Sequence, residues 1–507
     1  MLSDTVQSCW QRILHWEHLG LLVIVAITLT FHFVAIEKPP TMVWDEEWYV
    51  ADARSIISGT GDVRPEHPPL AKLFIVAGDY IFNEFMVPQK DTGVTTRQVI
   101  GGDSANDTLI DVSDASVFKV GTTIRIDEEQ MDIQSINSAL DQINVKRGAG
   151  ATTVASHREQ QTIYVFTDNA FGWRFFSVIF GEIGIVLFYF ICRRLKFSWK
   201  ATILATFLFA LDDMTFLHSG LAFLDVYMVT FMLAAILFYL DENYLLSGIF
   251  IALSAECKLN GSFIIIALIL HWAIYRRDKW KRFGGMLITA ALSFVFFLVF
   301  FDFFIAGSLE NPLTRIFTMF DLSVRNTFTI PKLDVSSRPW TWIYPQFVQL
   351  YYNSPNVPFL AYSQNPQYIS FISSTIQILI VPTIGYMVYK VIRGSKAACV
   401  VLLWFLATYL VWIPINILTN RVTHVFYFLP TTPAICIGIG IALSNALDRL
   451  KTRRVKLGRM TVGVKVSYVT IALYLLIHLA IFIVFNPAIP PIIKTWLPPF
   501  PTVSTPP

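Results

Sequence analysis

Apolar and polar residues separate along this chain into long blocks. Nearly unbroken apolar runs recur near 18–36, 171–191, 200–212, 222–240, 245–257, 261–275, 284–306, 369–391, 397–416, 424–446 and 466–486. A helix crossing the hydrocarbon core needs roughly 20 such residues, and lipid obliges each segment to bond its own backbone. The pattern predicts an all-α polytopic membrane protein with about eleven transmembrane helices, several of them short for an upright crossing. Two polar stretches interrupt it, one between the first two runs and one over 307–366. Within the first, 94–160 changes to period-two alternation, as in Thr122-Thr123-Ile124-Arg125-Ile126-Asp127 and Gln142-Ile143-Asn144-Val145-Lys146. That predicts a small β-rich insertion in the first loop. The chain thus divides into 1–93 (first helix and start of the loop), 94–160 (insertion), 161–306 (helical module), 307–366 (second long loop) and 367–507 (last helices and a Pro-rich tail).

Composition agrees with lipid as part of the solvent: 54% of residues are hydrophobic and 15% charged. Net charge is only +3, and the cations cluster at Arg193-Arg194-Lys196, Arg276-Arg277-Lys279-Lys281-Arg282, Lys390-Arg393-Lys396 and Arg449-Lys451-Arg453-Arg454-Lys456. With about eleven spans, all four clusters fall on one face. The positive-inside rule makes that face cytoplasmic, with the N-terminus inside and both long loops and the C-terminus outside. These clusters are topology signals, so no nucleic-acid partner is expected. The first run lacks a small-residue cleavage site and reads as a retained anchor. Cys9, Cys192, Cys257, Cys399 and Cys436 form no CxxC pair, which argues against a zinc site or a disulfide framework.

The chemistry-bearing residues sit in the loops. Directly after the first run comes Trp44-Asp45-Glu46-Glu47-Trp48-Tyr49. Its carboxylates suit either a helix start, where the dipole favours them, or a reactive cluster at the outer interface. Next comes Glu66-His67-Pro68-Pro69-Leu70-Ala71-Lys72-Leu73-Phe74, a turn followed by an apolar run, with His67 and Lys72 as potential phosphate contacts. By themselves His67 reads as a turn residue and Lys72 as a snorkelling side chain.

These segments, with Phe171-Gly172-Trp173-Arg174, His218-Ser219 leading to Leu224-Asp225, Ser337-Arg338-Pro339-Trp340-Thr341-Trp342, and Arg421 with Tyr427-Phe428-Leu429-Pro430, resemble the prokaryotic protein O-mannosyltransferases, which are GT-C glycosyltransferases. The resemblance runs in order through most of the chain. It implies a GT-C fold in a cytoplasmic membrane and an inverting transfer of a sugar, mannose in the family, from a polyprenyl- or dolichyl-phosphate donor to a Ser/Thr hydroxyl of a protein acceptor. It implies Asp45 as catalytic base with Glu46 beside it. His67, Lys72, Arg338 and Arg421 would hold the donor's phosphate and lipid, and Glu66, Asp225, Trp340, Trp342 and Tyr427 would support the site. No metal or cofactor is implied. The chain departs from the family at Gly220, where an arginine usually follows His-Ser, and it has no MIR domain in the second loop.

Two rival readings remain. A GT-C enzyme could modify a lipid or glycan, because acceptor choice resides in the loops. A transporter would also place Glu182, Asp225 and Lys258 inside apolar runs, but no internal repeat is evident and the acidic residues cluster in a loop.

Overall fold

The computed structural model describes residues 16–39, 42–85, 90–101, 107–149, 152–166, 169–325, 327–328, 336–344, 349–352, 368–449, 452–457 and 460–486. The first apolar run is helix α1 (Trp16–Ala35). The loop after it starts with two short helices, α2 (Glu46–Ile57) and α3 (Leu70–Asp79). The prolines before α3 fit its first turn, where a missing N–H costs nothing.

The insertion is a six-stranded antiparallel sheet: β1 (Lys90–Thr95), β2 (Leu109–Asp111), β3 (Thr123–Ile126), β4 (Glu129–Asn137), β5 (Gln142–Ala149) and β6 (Thr162–Phe166), in the order β1-β6-β3-β4-β5-β2. It is wider than the stretch 94–160 expected from alternation. Ile124, Ile126, Met131, Ile133, Ile143, Val145 and Ile163 close a core of its own. The first and last strands are neighbours, with Lys90 opposite Val165.

Helix α4 (Ala170–Arg194) starts at Asn169, whose side chain accepts a hydrogen bond from the Phe171 amide, and ends on two arginines that suit the dipole. Then come α5 (Trp199–Ala210) and α6 (Asp213–Gly220), bent 59° apart. Asp212 sits at the bend, accepts from Thr215 N at 3.1 Å and Ser373 N at 2.9 Å, and so satisfies backbone groups that the break would orphan. The module continues with α7 (Leu224–Leu240), α8 (Tyr244–Cys257), α9 (Ile264–Tyr275) and α10 (Trp280–Ala306). Gly307, at φ 66°, ends α10 in the left-handed conformation that suits glycine. The second loop holds α11 (Pro312–Arg325), and the last part contains α12 (Ile380–Ile392), α13 (Lys396–Phe405, prolonged through Trp412–Thr419), α14 (Thr432–Arg449) and α15 (Val466–Phe485).

Every apolar run of the sequence therefore contains helix. Among the described residues, six helical stretches are long and apolar enough to cross a bilayer, seven if α5 and α6 form one broken span, and the other apolar helices run 10–17 residues. The chain is an integral, multi-pass membrane protein. Three of the four cationic clusters meet at one end of the bundle. Arg194 pairs with Asp241 at 2.7 Å, Arg276 and Lys279 pair with Glu242, and the Lys396 ammonium lies 5.5 Å from the Tyr275 ring. The fourth lies mostly outside the described side chains.

Candidate active site

The opposite end of the bundle is organised around a buried ion pair. Arg174, in the first turn of α4, donates to both oxygens of Glu46, Nε to Oε1 at 2.8 Å and Nη2 to Oε2 at 2.7 Å. Its Nη1 donates to the carbonyls of Ile36, Lys38 and Pro39. Glu46 also accepts from Val43 N at 2.9 Å and from Ala222 N at 2.8 Å. Both side chains are fully buried. A pair with this many hydrogen bonds offsets its desolvation and fixes geometry. It ties the end of α1, the start of α4 and the α6–α7 junction to the first turn of α2. Glu46 is engaged on both oxygens, so its part is positioning.

Asp45 next to it stands differently. It occupies the N-cap position of α2, so these carboxylates do stand at a helix start, yet the Asp45 side chain makes no capping hydrogen bond. Trp44 before it sits at φ 52°, a left-handed conformation a non-glycine residue adopts at a cost of about 1–3 kcal/mol. The Glu46–Arg174 anchor on one side of that kink holds it in place. Burial pushes the Asp45 carboxyl up to about 7, while the Lys258 ammonium draws it down and the Asp225 carboxylate raises it.

Lys258 follows α8 directly, and its Nζ donates to both oxygens of Asp225 in the first turn of α7, at 2.9 and 2.8 Å. The same ammonium is 5.1 Å from the ring centroids of Phe426 and Tyr427, within cation–π range. Tyr49, one helical turn after Asp45, is buried and meets the His67 ring edge-to-face at 5.8 Å. Burial, followed by the neighbouring carboxyl groups of Asp45, Asp225 and Glu66, raises its phenol well above the ordinary range. Asp45, Tyr49, Glu66, His67, Asp225, Lys258 and Tyr427 thus lie within electrostatic reach of one another.

The expected phosphate contacts divide. His67 is held well below its ordinary range by burial and by Lys258, Lys72, Arg421 and Arg64. It is a neutral imidazole at neutral pH and offers a hydrogen bond, not a charge. Lys72 is a correction. Its fully buried ammonium donates to Asp62 Oδ1 and the Arg64 carbonyl, both at 2.6 Å, and pairs with Asp52 at 3.2 Å. Two of its donors are bonded inside the loop and its charge is shared by the Asp52 and Asp62 carboxylates there. Arg421 is half-buried, and its guanidinium has no hydrogen-bond or ion-pair partner among the described residues. Arg338 donates to Asn416 Oδ1 at 2.9 Å and stacks over Phe328 at 4.0 Å. The buried Asn416 also donates to the Arg421 carbonyl at 2.6 Å, so one amide fixes both arginines.

Trp340 is 43% exposed, whereas Trp342 is fully buried. The Trp342 indole donates to Ser337 Oγ at 2.9 Å, and its ring meets Tyr427 edge-on at 6.4 Å. Trp340 instead lies at the surface, with the Arg338 guanidinium 5.7 Å from its ring. Gly220 faces the His32 imidazole, where an added Cβ would stand 3.2 Å from Cδ2. His32 contacts Glu182 at 3.2 Å, so that imidazole occupies the side of position 220.

Sequence reasoning assigned no role in this assembly to Tyr49, Arg174, Lys258 or Asn416. Two signals were present. Lys258 and Asp225 are opposite charges at the ends of adjacent apolar runs, and Tyr49 shares a helix face with Asp45.

Residues 153–312 match the family model of dolichyl-phosphate-mannose-protein mannosyltransferase, which covers less than half of the chain. The fold matches a chain of the Saccharomyces cerevisiae protein O-mannosyltransferase Pmt1-Pmt2 complex bound to the sugar donor, with TM-score 0.59, 11% identity, and 97% of this chain and 93% of that one covered. Over 153–312 the sequence is thus similar to the protein O-mannosyltransferases, and the chain shares the fold of that yeast chain. Looser matches are ArnT from Cupriavidus metallidurans (TM-score 0.48, 15% identity, 85% of this chain and 60% of that one) and the Archaeoglobus fulgidus oligosaccharyltransferase (0.47, 14%, 98% and 57%). No curated protein matches the sequence. The described residues contain no group of three or more His, Cys, Asp or Glu able to hold a metal ion.

Proposed function

We propose that the chain transfers a sugar, mannose by family resemblance, from a polyprenyl-phosphate donor to a Ser/Thr hydroxyl of a protein, with Asp45 as catalytic base. The observation that carries the reading is the contrast at α2. Glu46 is saturated, while Asp45 has no capping bond and is raised to about 7, the range in which a carboxylate accepts a proton well at neutral pH. Asp45 takes the acceptor's hydroxyl proton, the hydroxyl oxygen attacks the anomeric carbon, and the bond from that carbon to the phosphate oxygen breaks. The polyprenyl phosphate leaves with the electron pair, and configuration inverts in a single displacement. Arg421, Arg338 and Lys258 supply positive charge for the departing phosphate, and neutral His67 supplies a hydrogen bond. The reaction as drawn uses no metal and no cofactor.

The site end lies opposite the gathered cationic clusters, which supports placing it outside, with the N-terminus inside. A lipid-linked donor suits that face, because its isoprenoid tail stays in the bilayer while its phosphate stays at the interface. The test is transfer from a synthetic polyprenyl-phosphate sugar to a hydroxyl-bearing peptide in nanodiscs, with donor binding measured on the same preparation. An Asp45→Asn variant that binds donor and transfers at the wild-type rate would overturn the assignment.

A further inference from the structure

We infer that α11 lies in the bilayer interface, its outer apolar face seated among lipid headgroups and upper acyl chains, and that it braces the segment carrying Glu66 and His67 from there. The helix is two-faced. At about 100° per residue, Leu313, Phe317, Phe320 and Val324 fall within an arc of roughly 60°. These four are 65, 72, 56 and 43% exposed. On the opposite side Arg315 and Met319 are buried. An exposed run of this size on a soluble surface would be an aggregation liability.

What covers the face follows from the helix before it. α10 belongs to a candidate span only 17% buried inside the molecule, so most of its surface meets lipid. Near its end Phe300, Phe303 and Phe304 are exposed, and Leu309 in the turn beyond is 75% exposed. The lipid-facing span thus ends in a short turn in which Ser308, Glu310 and Asn311 are exposed beside Leu309, and apolar exposure resumes on α11 at Leu313. A helix with one apolar face and one polar, anchored face is the form that rests in a membrane interface.

The inner face is anchored to the site loop. Arg315 Nε donates to Asp302 Oδ2 of α10 at 3.0 Å, its Nη1 donates to the Pro65 carbonyl, and its Nη2 donates to the His67 carbonyl at 3.4 Å. Asp62 is 3.7 Å from the same guanidinium. Arg315 is a positioning residue. It fixes the backbone on both sides of Glu66 to a helix whose depth the bilayer sets.

The seating is tested without any activity measurement, so its failure is distinct from failure of the transferase reading. In a Cys9→Ser background, the remaining described cysteines being buried, Phe317→Cys and, separately, Phe320→Cys are labelled with an environment-sensitive NBD probe. The full chain is placed in phosphatidylcholine–phosphatidylglycerol nanodiscs with or without lipid carrying a nitroxide high on the acyl chain. Nitroxide should remove at least about half of the emission at both positions, and little at Thr314→Cys, which lines the polar cavity behind the helix. Equal quenching at positions 314 and 317 overturns the inference. So does emission at 317 and 320 that is blue-shifted but unquenched, the result for a face covered by protein.

Discussion

Two carboxylate clusters in the same loop, about a hundred residues of chain apart at most, have opposite electrostatic designs. In the β insertion Glu129 is fully buried and saturated. Arg147 donates to both of its oxygens at 2.7 Å, His157 Nε2 lies at 2.9 Å, and the Gly148 and Ala155 amides donate at 3.0 and 2.9 Å. Burial alone would raise its pKa, yet these hydrogen bonds hold it at about 2. At the helical end, Asp45 lacks such donors and is pushed to about 7. Burial is common to both, and the supply of donors decides the direction. A saturated carboxylate is a structural part, and a buried one without donors can take up a proton.

The strongest way to break this comparison is to make it between neighbours. Asp45→Asn should lower sugar transfer by roughly 10²–10⁴-fold while folding and donor binding persist. Glu46→Gln should instead destabilise the fold by about 3–5 kcal/mol, because Arg174 keeps its burial and loses its counter-charge. Thermal unfolding and transfer, measured on both variants, separate the two roles. A stable, inactive Glu46→Gln would mean that saturation does not mark structural carboxylates here.

Glu129 gives the complementary test. Its depressed pKa contributes stability that is present above the unfolded value near 4.5 and lost as pH falls through about 2. That contribution is roughly 3 kcal/mol. Limited proteolysis across 90–166 should show Glu129→Gln opening the insertion at neutral pH and acid opening the wild type, with turnover of the intact fraction unchanged.

Lys258→Met should cost transfer roughly a hundredfold, through the lost charge at the leaving phosphate. It also strands Asp225, so Lys258→Met with Asp225→Asn should regain thermal stability without regaining transfer. The pH profile sharpens the comparison further. A base must be unprotonated, so kcat/KM should rise through about pH 7 and level off above it, and this limb should vanish in Asp45→Asn. The smallest effect belongs to Asn416→Leu, which releases both arginines and should weaken donor use by roughly tenfold, the equivalent of one good hydrogen bond.

These tests rest on residues unequally visible in the chain. The helices were legible because lipid imposes a pattern that hydropathy reads directly, and Gly307 and the prolines before α3 mark boundaries by local stereochemistry. Crossing number was less legible, since α5 and α6 break at Asp212 and several apolar helices are short. Asp45 and Glu46 stood out together, but their division of labour depends on Arg174, 128 residues from Glu46. The fate of Lys72 was hidden for a related reason. Asp52 and Asp62 lie only 20 and 10 residues before it, yet nothing local shows that α2 and the following turn would enclose its ammonium. Asn416 had no signal at all, as an amide in an apolar run looks the same whether it pins two arginines or none.

The pairing of β1 with β6 sets where the insertion begins and ends. A unit whose entrance and exit are adjacent hangs from its host by a narrow stalk, and the polypeptide on either side sees nearly the same gap whether the unit is present or absent. Such a unit can be gained, lost or exchanged in a lineage without altering the order of membrane crossings. Excision of 90–166 in favour of a short Gly-Ser bridge would therefore leave α3 and α4 in register, and the loop could carry a different appendage above the same catalytic floor.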